Sequence, residues 1–296
     1  MNSALKRAIR AAFEKAAATY DDSAFLQREV ARRLDERLDV MRLTPARILD
    51  AGCGTGFGFP LLNARYPKAG LVGLDLAHAM LAQARKRLPR PGLIGRLFAG
   101  DAAPLACGDL ASLPFAPDSF DLAWSSLALQ WVDEPESTFA ELRRVLRPGG
   151  VLLFATLGPD TLKELRAAFA GLDDHGHVNR FVDMHDLGDA LIHAGFANPV
   201  MEMEHITLTY DDLRPLLRDL KGIGAHTVTE GRREGLMSRA EWRRLNENYE
   251  RFRRDGRLPA TYEVVYGHAW VGDKARWEDG RKVIQLKVEQ RRMGLR

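Results

Sequence analysis

The stretch Ile48-Leu49-Asp50-Ala51-Gly52-Cys53-Gly54-Thr55-Gly56-Phe57-Gly58-Phe59-Pro60 runs an apolar strand signal straight into a glycine-rich turn. Glycines at 52, 54 and 56 remove the side chains that would hold a ligand off the backbone, and glycine tolerates the positive φ of a tight strand-to-helix turn. Exposed N–H groups at the N-terminus of a helix favour an anion or an array of polar atoms. Further on, Leu71-Val72-Gly73-Leu74-Asp75 is a second apolar run ending in an acid, about twenty residues past the glycines, where a ribose diol needs a carboxylate acceptor. Glycine-rich turns of this kind serve several nucleotide cofactors, and some are merely turns. Asp50, placed before the glycines, departs from the dinucleotide fingerprint.

Outward from this turn, residues 46 to 156 alternate short apolar runs with helical stretches, which implies a parallel sheet with helices on both faces. Strands are expected near 47 to 51, 71 to 75, 96 to 99 or 105 to 107, 120 to 125 and 150 to 156. Ligands of such sheets bind beyond the carboxyl ends of the strands, which places Gly52, Asp75, Asp109 and Ser125 along one rim. Gly100-Asp101 and Gly108-Asp109 both fit the third rim position, and Asp109 is preferred. A helix over 142 to 148 is expected to stop at Pro148-Gly149-Gly150. Residues 3 to 40 read as helix with a break at Thr19-Tyr20-Asp21-Asp22. After Gly158, helical patterns at 160 to 171, 185 to 194, 211 to 221 and 238 to 254 surround strands at 200 to 209 and 261 to 270. The division expected is a helical arm over 1–40, a core over 41–158 and a mainly helical elaboration over 159–296 that completes the sheet.

At 296 residues and 46% hydrophobic content, the chain has ample material for a core. Its apolar runs fall short of the roughly eighteen residues a membrane helix needs, and no secretory h-region is read near its start, so no membrane partner is expected. Cys53 and Cys107 are its only cysteines, too few for a disulfide framework and without metal-ligand spacing to the histidines; a reducing cytoplasm and no metal are the expectation. The net charge is +3. Residues 213 to 257 hold twelve Lys or Arg against seven Asp or Glu, which reads either as a solvated helix face or as a surface for an acidic partner. The oligomeric state is left open.

Asp50-x-Gly52-x-Gly54-x-Gly56 resembles the first motif of class I S-adenosylmethionine-dependent methyltransferases. The resemblance implies a Rossmann-like α/β sheet under an N-terminal helical lid, with S-adenosyl-L-methionine held by Asp50, Gly52, Gly54 and Gly56 and by Asp75 with Leu76. Gly108-Asp109-Leu110, followed by Leu113-Pro114-Phe115, is similar to the segment whose acid accepts from the adenine amino group while the next N–H faces the ring. Residues 88 to 107 then stand as an insertion. Phe120 to Trp131, with Ser125 and Gln130, corresponds to the strand and turn that face the methyl group; Trp131 fits this role or ordinary core. Phe13 to Asp21 looks like the segment laid over the cofactor, which brings Tyr20 and Gln27 toward the site. Ala77 replaces a common Ser or Asp, and His78 reads as a surface histidine.

Three further segments, Ser126-Leu127-Ala128-Leu129-Gln130-Trp131, Thr156 to Leu165 and His177-Val178-Asn179-Arg180-Phe181, resemble the malonyl-acyl-carrier-protein O-methyltransferases of biotin synthesis. The likeness spans about residues 9 to 270. It implies an acyl carrier protein bearing malonyl as partner and methylation of the free carboxylate, which is ionised at neutral pH and needs no general base. Arg180 is then the candidate clamp for that carboxylate, with Tyr20 donating to it or closing the lid. The segment Asp255 to Tyr266, with Leu187-Gly188 and Gly222-Ile223-Gly224, also resembles the complex I assembly factor that hydroxylates an arginine, so this alternative stands, beside another small-molecule methyltransferase. A non-catalytic cofactor binder is a third class. Nucleic acid is not expected, because Ser125-Ser126-Leu127-Ala128 stands where an Asn-Pro-Pro-Tyr-like motif would follow the fourth strand.

Overall fold

The computed structural model describes residues 3–88, 105–173, 175–224, 237–272, 276–278 and 281–283. Seven strands form one sheet in the order β3-β2-β1-β4-β5-β7-β6: β1 (Arg47–Ala51), β2 (Gly70–Asp75), β3 (Leu105–Cys107), β4 (Phe120–Ser126), β5 (Leu146–Leu157), β6 (Ala197–Tyr210) and β7 (Leu258–Trp270). The first five are parallel, and β7 runs antiparallel between β5 and β6. Strand order reverses beside β1, so its carboxyl end opens onto a crevice where a ligand is expected.

Alternation builds the two layers. Ile48, Leu122, Trp124, Val151 and Leu153 face one side, where Val30 and Leu34 of α3 (Phe25–Glu36) and the helices Leu213–Gly222 and Arg239–Glu250 cover them. Leu49, Ala123, Leu152 and Phe154 face the other, under Phe139 and Leu142 of the helix Pro135–Val145 and Leu187 and Leu191 of Met184–His193. A parallel sheet covered on both faces needs such near-continuous apolar strands. The buried carboxylate of Asp121 is compensated at the opposite rim, where Oδ2 accepts from the Ala46 and Arg47 N–H groups at 2.8 Å each and Oδ1 pairs with Arg147.

Two expectations shift. The helix ends at Val145 and β5 begins at Leu146, so Pro148-Gly149-Gly150 lies inside the strand. Leu146 pairs with Phe120 while Val151 pairs with Leu122, and this irregularity is absorbed at Gly149, where φ is +77°. The helix expected over 160 to 171 contracts to Lys163–Phe169, because the Asp160 N–H bonds Glu263 Oε2 at 2.6 Å and the Leu162 N–H bonds the Thr261 carbonyl at 2.6 Å. The N-terminal arm is α1 (Ser3–Ala16), the single turn α2 (Tyr20–Ser23) and α3. A β8–β9 hairpin, Arg276–Glu278 with Arg281–Val283, was not anticipated. Asp101, the 96 to 99 strand and residues 89 to 104 of the insertion lie outside the described residues.

Candidate active site

At the end of β1 the chain must turn at once into α4 (Gly58–Arg65). Gly52 takes φ +84°, and a Cβ there would fall well inside contact distance of the Ala128 Cβ. Gly54 takes φ +53° and faces open space, while its N–H bonds Asp75 Oδ2 at 2.8 Å. Gly56 serves packing instead of the ligand. It seats the turn against the Phe59 ring and the Ala84 backbone, and it does not line the crevice.

The crevice gathers Asp50, Gly52, Gly54, Asp75, Leu76, Asp109 and Leu110 into one cavity, with Tyr20 and Gln27 reaching it from the arm. Burial, reinforced by the nearby charge of Asp75, pushes the Asp50 carboxyl up to about 8. Burial also raises Asp75, to about 6, against the opposing N–H bonds of Ala77 and Gly54. The Ala77 N–H supplies 2.8 Å to Asp75 Oδ1, so the absent hydroxyl or carboxylate at this position leaves the acid held by backbone on both oxygens. Asp109 accepts from the Ala111 N–H at 3.0 Å and forms an ion pair with Lys6 of α1. Ser125 is a correction. Its hydroxyl is buried and donates to the Ala51 carbonyl at 2.7 Å inside the sheet, and its neighbour Ser126 lines the cavity instead.

The arm forms the roof. Lys6, Ile9 and Phe13 share one face of α1 at helical spacing and all line the cavity. Glu14 binds α5 (His78–Ala84) through the His78 and Ala79 N–H groups, both at 2.8 Å. Asp21 accepts from the Thr55 hydroxyl at 2.7 Å and from Arg87 at 2.6 Å, tying α2 to the glycine turn. Phe13 meets Trp131 edge-on, centroids 5.3 Å apart, so Trp131 belongs to the wall of the site. His78 is exposed, as read.

A second cavity opens beyond Phe13, Tyr20, Gln27, Leu127 and Trp131, which line both. Its walls are apolar, from Leu26, Leu157, Leu162, Leu165, Phe181 and Leu220, with Gln130, Thr161, His177 and Asn179 as polar points. The Gln130 amide donates to the Leu127 carbonyl at 2.7 Å and accepts from Thr156 at 3.5 Å. The His177 ring stacks on Phe169 at 3.7 Å, with Nε2 2.7 Å from Asp173. Burial, with the charges of Asp75 and Asp21 adding to it, keeps the Tyr20 phenol protonated, so it faces the junction as a hydrogen-bond donor. Arg180 stands between two lining residues, Asn179 and Phe181, yet its own side chain is exposed and lines neither cavity. Sequence reasoning did not single out Lys6, and it named Phe13, Trp124 and Ser126 only within longer segments. The face periodicity of α1 and the two-residue alternation of β4 carried the signal for all four.

A family model described as a methyltransferase domain matches residues 49–154. The chain is 58% identical to the malonyl-[acyl-carrier protein] O-methyltransferase of Laribacter hongkongensis, over 95% of each protein. It is 54% identical to that of Gallionella capsiferriformans, over 96% of this chain and 97% of the relative. Among solved structures, the YcgJ protein of Bacillus subtilis superposes with a TM-score of 0.55 at 13% identity, covering 82% of this chain and 99% of its own. A phosphoethanolamine N-methyltransferase of Haemonchus contortus, in complex with S-adenosyl-L-methionine, gives 0.50 at 17% identity, over 88% and 57%. These structural likenesses establish the fold. Nothing in the comparisons supports the arginine-hydroxylase alternative.

Proposed function

The chain belongs to the malonyl-[acyl-carrier protein] O-methyltransferase family, and on that premise we propose that it methylates the free carboxylate of a malonyl group carried on an acyl carrier protein. S-adenosyl-L-methionine is the methyl donor. The product is the methyl ester from which pimeloyl and biotin synthesis proceed, and two unpaired thiols suit a cytoplasmic site for it.

The observation that carries this reading is the pair of adjoining cavities, which share Phe13, Tyr20, Gln27, Leu127 and Trp131. One is lined by acids and an open glycine turn; the other is apolar with a few polar groups. The first fits the cofactor on the structure's own terms, since Asp50 Oδ2 is buried without a protein partner and Gly54, in the same cavity wall, faces open space. In this reading Asp50 takes the cationic end, Asp75 and Leu76 the ribose, and Asp109 and Leu110 the adenine. Gly52 and Gly54 keep the backbone close. The cofactor supplies an activated methyl on a positive sulfur, so the protein needs neither a base nor a nucleophile of its own.

What remains for the chain is positioning and exclusion of water. Phe13, Leu127 and Trp131 wall the junction with apolar surface. Tyr20 donates a hydrogen bond toward the incoming carboxylate, and Gln130 holds Leu127, whose φ is +51°, at the threshold. No guanidinium lines the second cavity among the described residues, so the anion meets hydrogen-bond donors inside and Arg180 at the rim. Arg180 makes no ion pair among the described residues and acts on the approaching carboxylate from the mouth. With the donor bound, these residues would hold the carboxylate oxygen in line with the methyl it accepts, the sulfur leaving as the neutral thioether.

Mass spectrometry of malonyl-acyl-carrier protein incubated with enzyme and S-adenosyl-L-methionine tests the proposal. The expected result is the gain of one methyl in place of one hydrogen, located on the malonyl group by fragmentation and reduced with Arg180→Ala or Tyr20→Phe. Cofactor binding without any such gain would overturn it.

A further inference from the structure

Three residues that line the cofactor cavity each carry a buried polar atom with no hydrogen-bond partner in the protein: Oδ2 of Asp50, Nε1 of Trp124 and Oε1 of Gln27. They arrive from three separate elements, β1, β4 and α3. Asp50 is 2% exposed and Trp124 fully buried. Native proteins satisfy nearly all such groups, so an orphan calls for an explanation. The other orphaned atoms, on Thr138, Glu204 and Tyr266, lie away from this cavity.

The chemistry of the trio is specific. A carboxylate and an amide oxygen accept, while an indole nitrogen only donates. Their complement is a ligand end that offers several N–H donors on a cation next to an anionic acceptor, which describes an α-amino acid zwitterion. Gly58 explains how that end fits. A Cβ there would stand 2.7 Å from Asp50 Oδ2 and 3.2 Å from Trp124 Nε1. The two side chains therefore border one small space at the first turn of α4, and the glycine keeps it open. A helix N-terminus beside Trp124 adds further preference for the carboxylate.

We propose that Trp124 is a cofactor-binding residue whose indole N–H holds the carboxylate of the amino-acid end of S-adenosyl-L-methionine, while Asp50 and Gln27 accept from its ammonium. The inference rests on the methyl-transfer reading above and adds a residue to it. Asp75 and Asp109 secure the nucleoside end of the cavity, so clamping the opposite end fixes the sulfur between two anchors. That position faces the junction lined by Tyr20, Leu127 and Trp131.

Isothermal titration of wild type and Trp124→Phe with two ligands decides the matter. S-adenosylhomocysteine carries the amino-acid end; 5′-methylthioadenosine has the same nucleoside and sulfur without it. Loss of one charge-assisted hydrogen bond weakens S-adenosylhomocysteine about tenfold, and methylthioadenosine binding stays within about twofold of wild type. Gln27→Leu shows the same selectivity, which guards against a folding defect in one variant. Equal losses for both ligands would make Trp124 a packing residue and overturn the assignment, as would unchanged S-adenosylhomocysteine affinity. Selective loss in an enzyme that fails to methylate malonyl-acyl-carrier protein would support this assignment while overturning the substrate reading. Wild-type protein that binds neither ligand would overturn both.

Discussion

Asp50 sits where an ionised carboxylate is costly, and burial together with Asp75 raises it to about 8 from an ordinary value of 3.8. Between those two values the native protein keeps a proton that the unfolded chain releases. Stability of the ligand-free protein therefore declines as pH climbs from about 4 toward 8. A cationic ligand reverses the preference, because it binds the ionised form. Affinity for S-adenosylhomocysteine should rise with pH up to about 8, by at most tenfold per unit, with proton release seen by calorimetry in buffers of different ionisation enthalpy. Asp50→Asn should flatten that profile, weaken binding and raise the ligand-free melting temperature most above pH 8. The glycines give a second contrast. Gly52→Ala combines positive φ with a collision at Ala128 and should cost about 2 kcal/mol or more, partly restored by Ala128→Gly in thermal denaturation. Gly54→Ala meets nothing within 4 Å, so it should cost only the backbone strain of about 1–2 kcal/mol. The glycines and both acids were legible because their chemistry is local. Ser125 was misplaced because a shift of one residue in a strand exchanges its faces, and only the bond to Ala51 reveals which serine turns inward.

The arm that roofs the cavity is held by few contacts of high consequence. Glu14 replaces the side-chain cap that α5 lacks at Ala77, accepting from the His78 and Ala79 N–H groups. Burial pushes its carboxyl up, but those two bonds and Arg10 outweigh it and leave it below its ordinary value. Removing this clamp should loosen α1 without disturbing the sheet. Glu14→Ala is expected to lower stability by about 1 kcal/mol, the usual worth of a cap. It should also speed proteolysis within α1 and raise the cofactor dissociation rate several-fold, as measured by stopped-flow competition. At this scale the sequence disclosed the arm and six strands of the large sheet, because periodicity is a property of a short window, and it offered β3 only as one of two alternatives. It misjudged where helices end. Pro148-Gly149-Gly150 reads as a breaker, yet the helix has already stopped at Val145 and the glycines serve the irregular start of β5. Asp160 to Leu162 read as helix, but bonds to Glu263 and Thr261, about a hundred residues away, hold them in a turn that ends left-handed at Leu162.

Over the whole molecule, the arm and the segments 177–181 and 220–223 converge on one cavity, a juxtaposition that no local pattern predicts and that leaves Arg180 at the rim. Charge is arranged at the same scale. Arg33, Arg37 and Arg65 are neutralised by Glu204, Glu202 and Asp35. Arg218 and Lys221, exposed on the helix Leu213–Gly222, have no such partner among the described residues, and neither do Arg251 and Arg254. Leu220 and Ile223 line the second cavity, and Lys221 is the exposed cation between them in sequence, on the helix that walls that cavity, whereas Arg251 belongs to a groove formed with Ala167, Gly171 and Arg244. An acidic carrier delivering a tethered malonyl group must approach the second cavity, and exposed complementary charge acts chiefly on encounter. Reversing Arg218 and Lys221 to Glu should therefore raise KM for malonyl-acyl-carrier protein by about tenfold, with a smaller effect from Arg251→Glu with Arg254→Glu. Neither pair should alter kcat or the KM for malonyl-coenzyme A, and added salt should erase the wild-type advantage. Equal changes for the carrier-bound and small thioesters would show that these cations shape the pocket and do not dock the carrier.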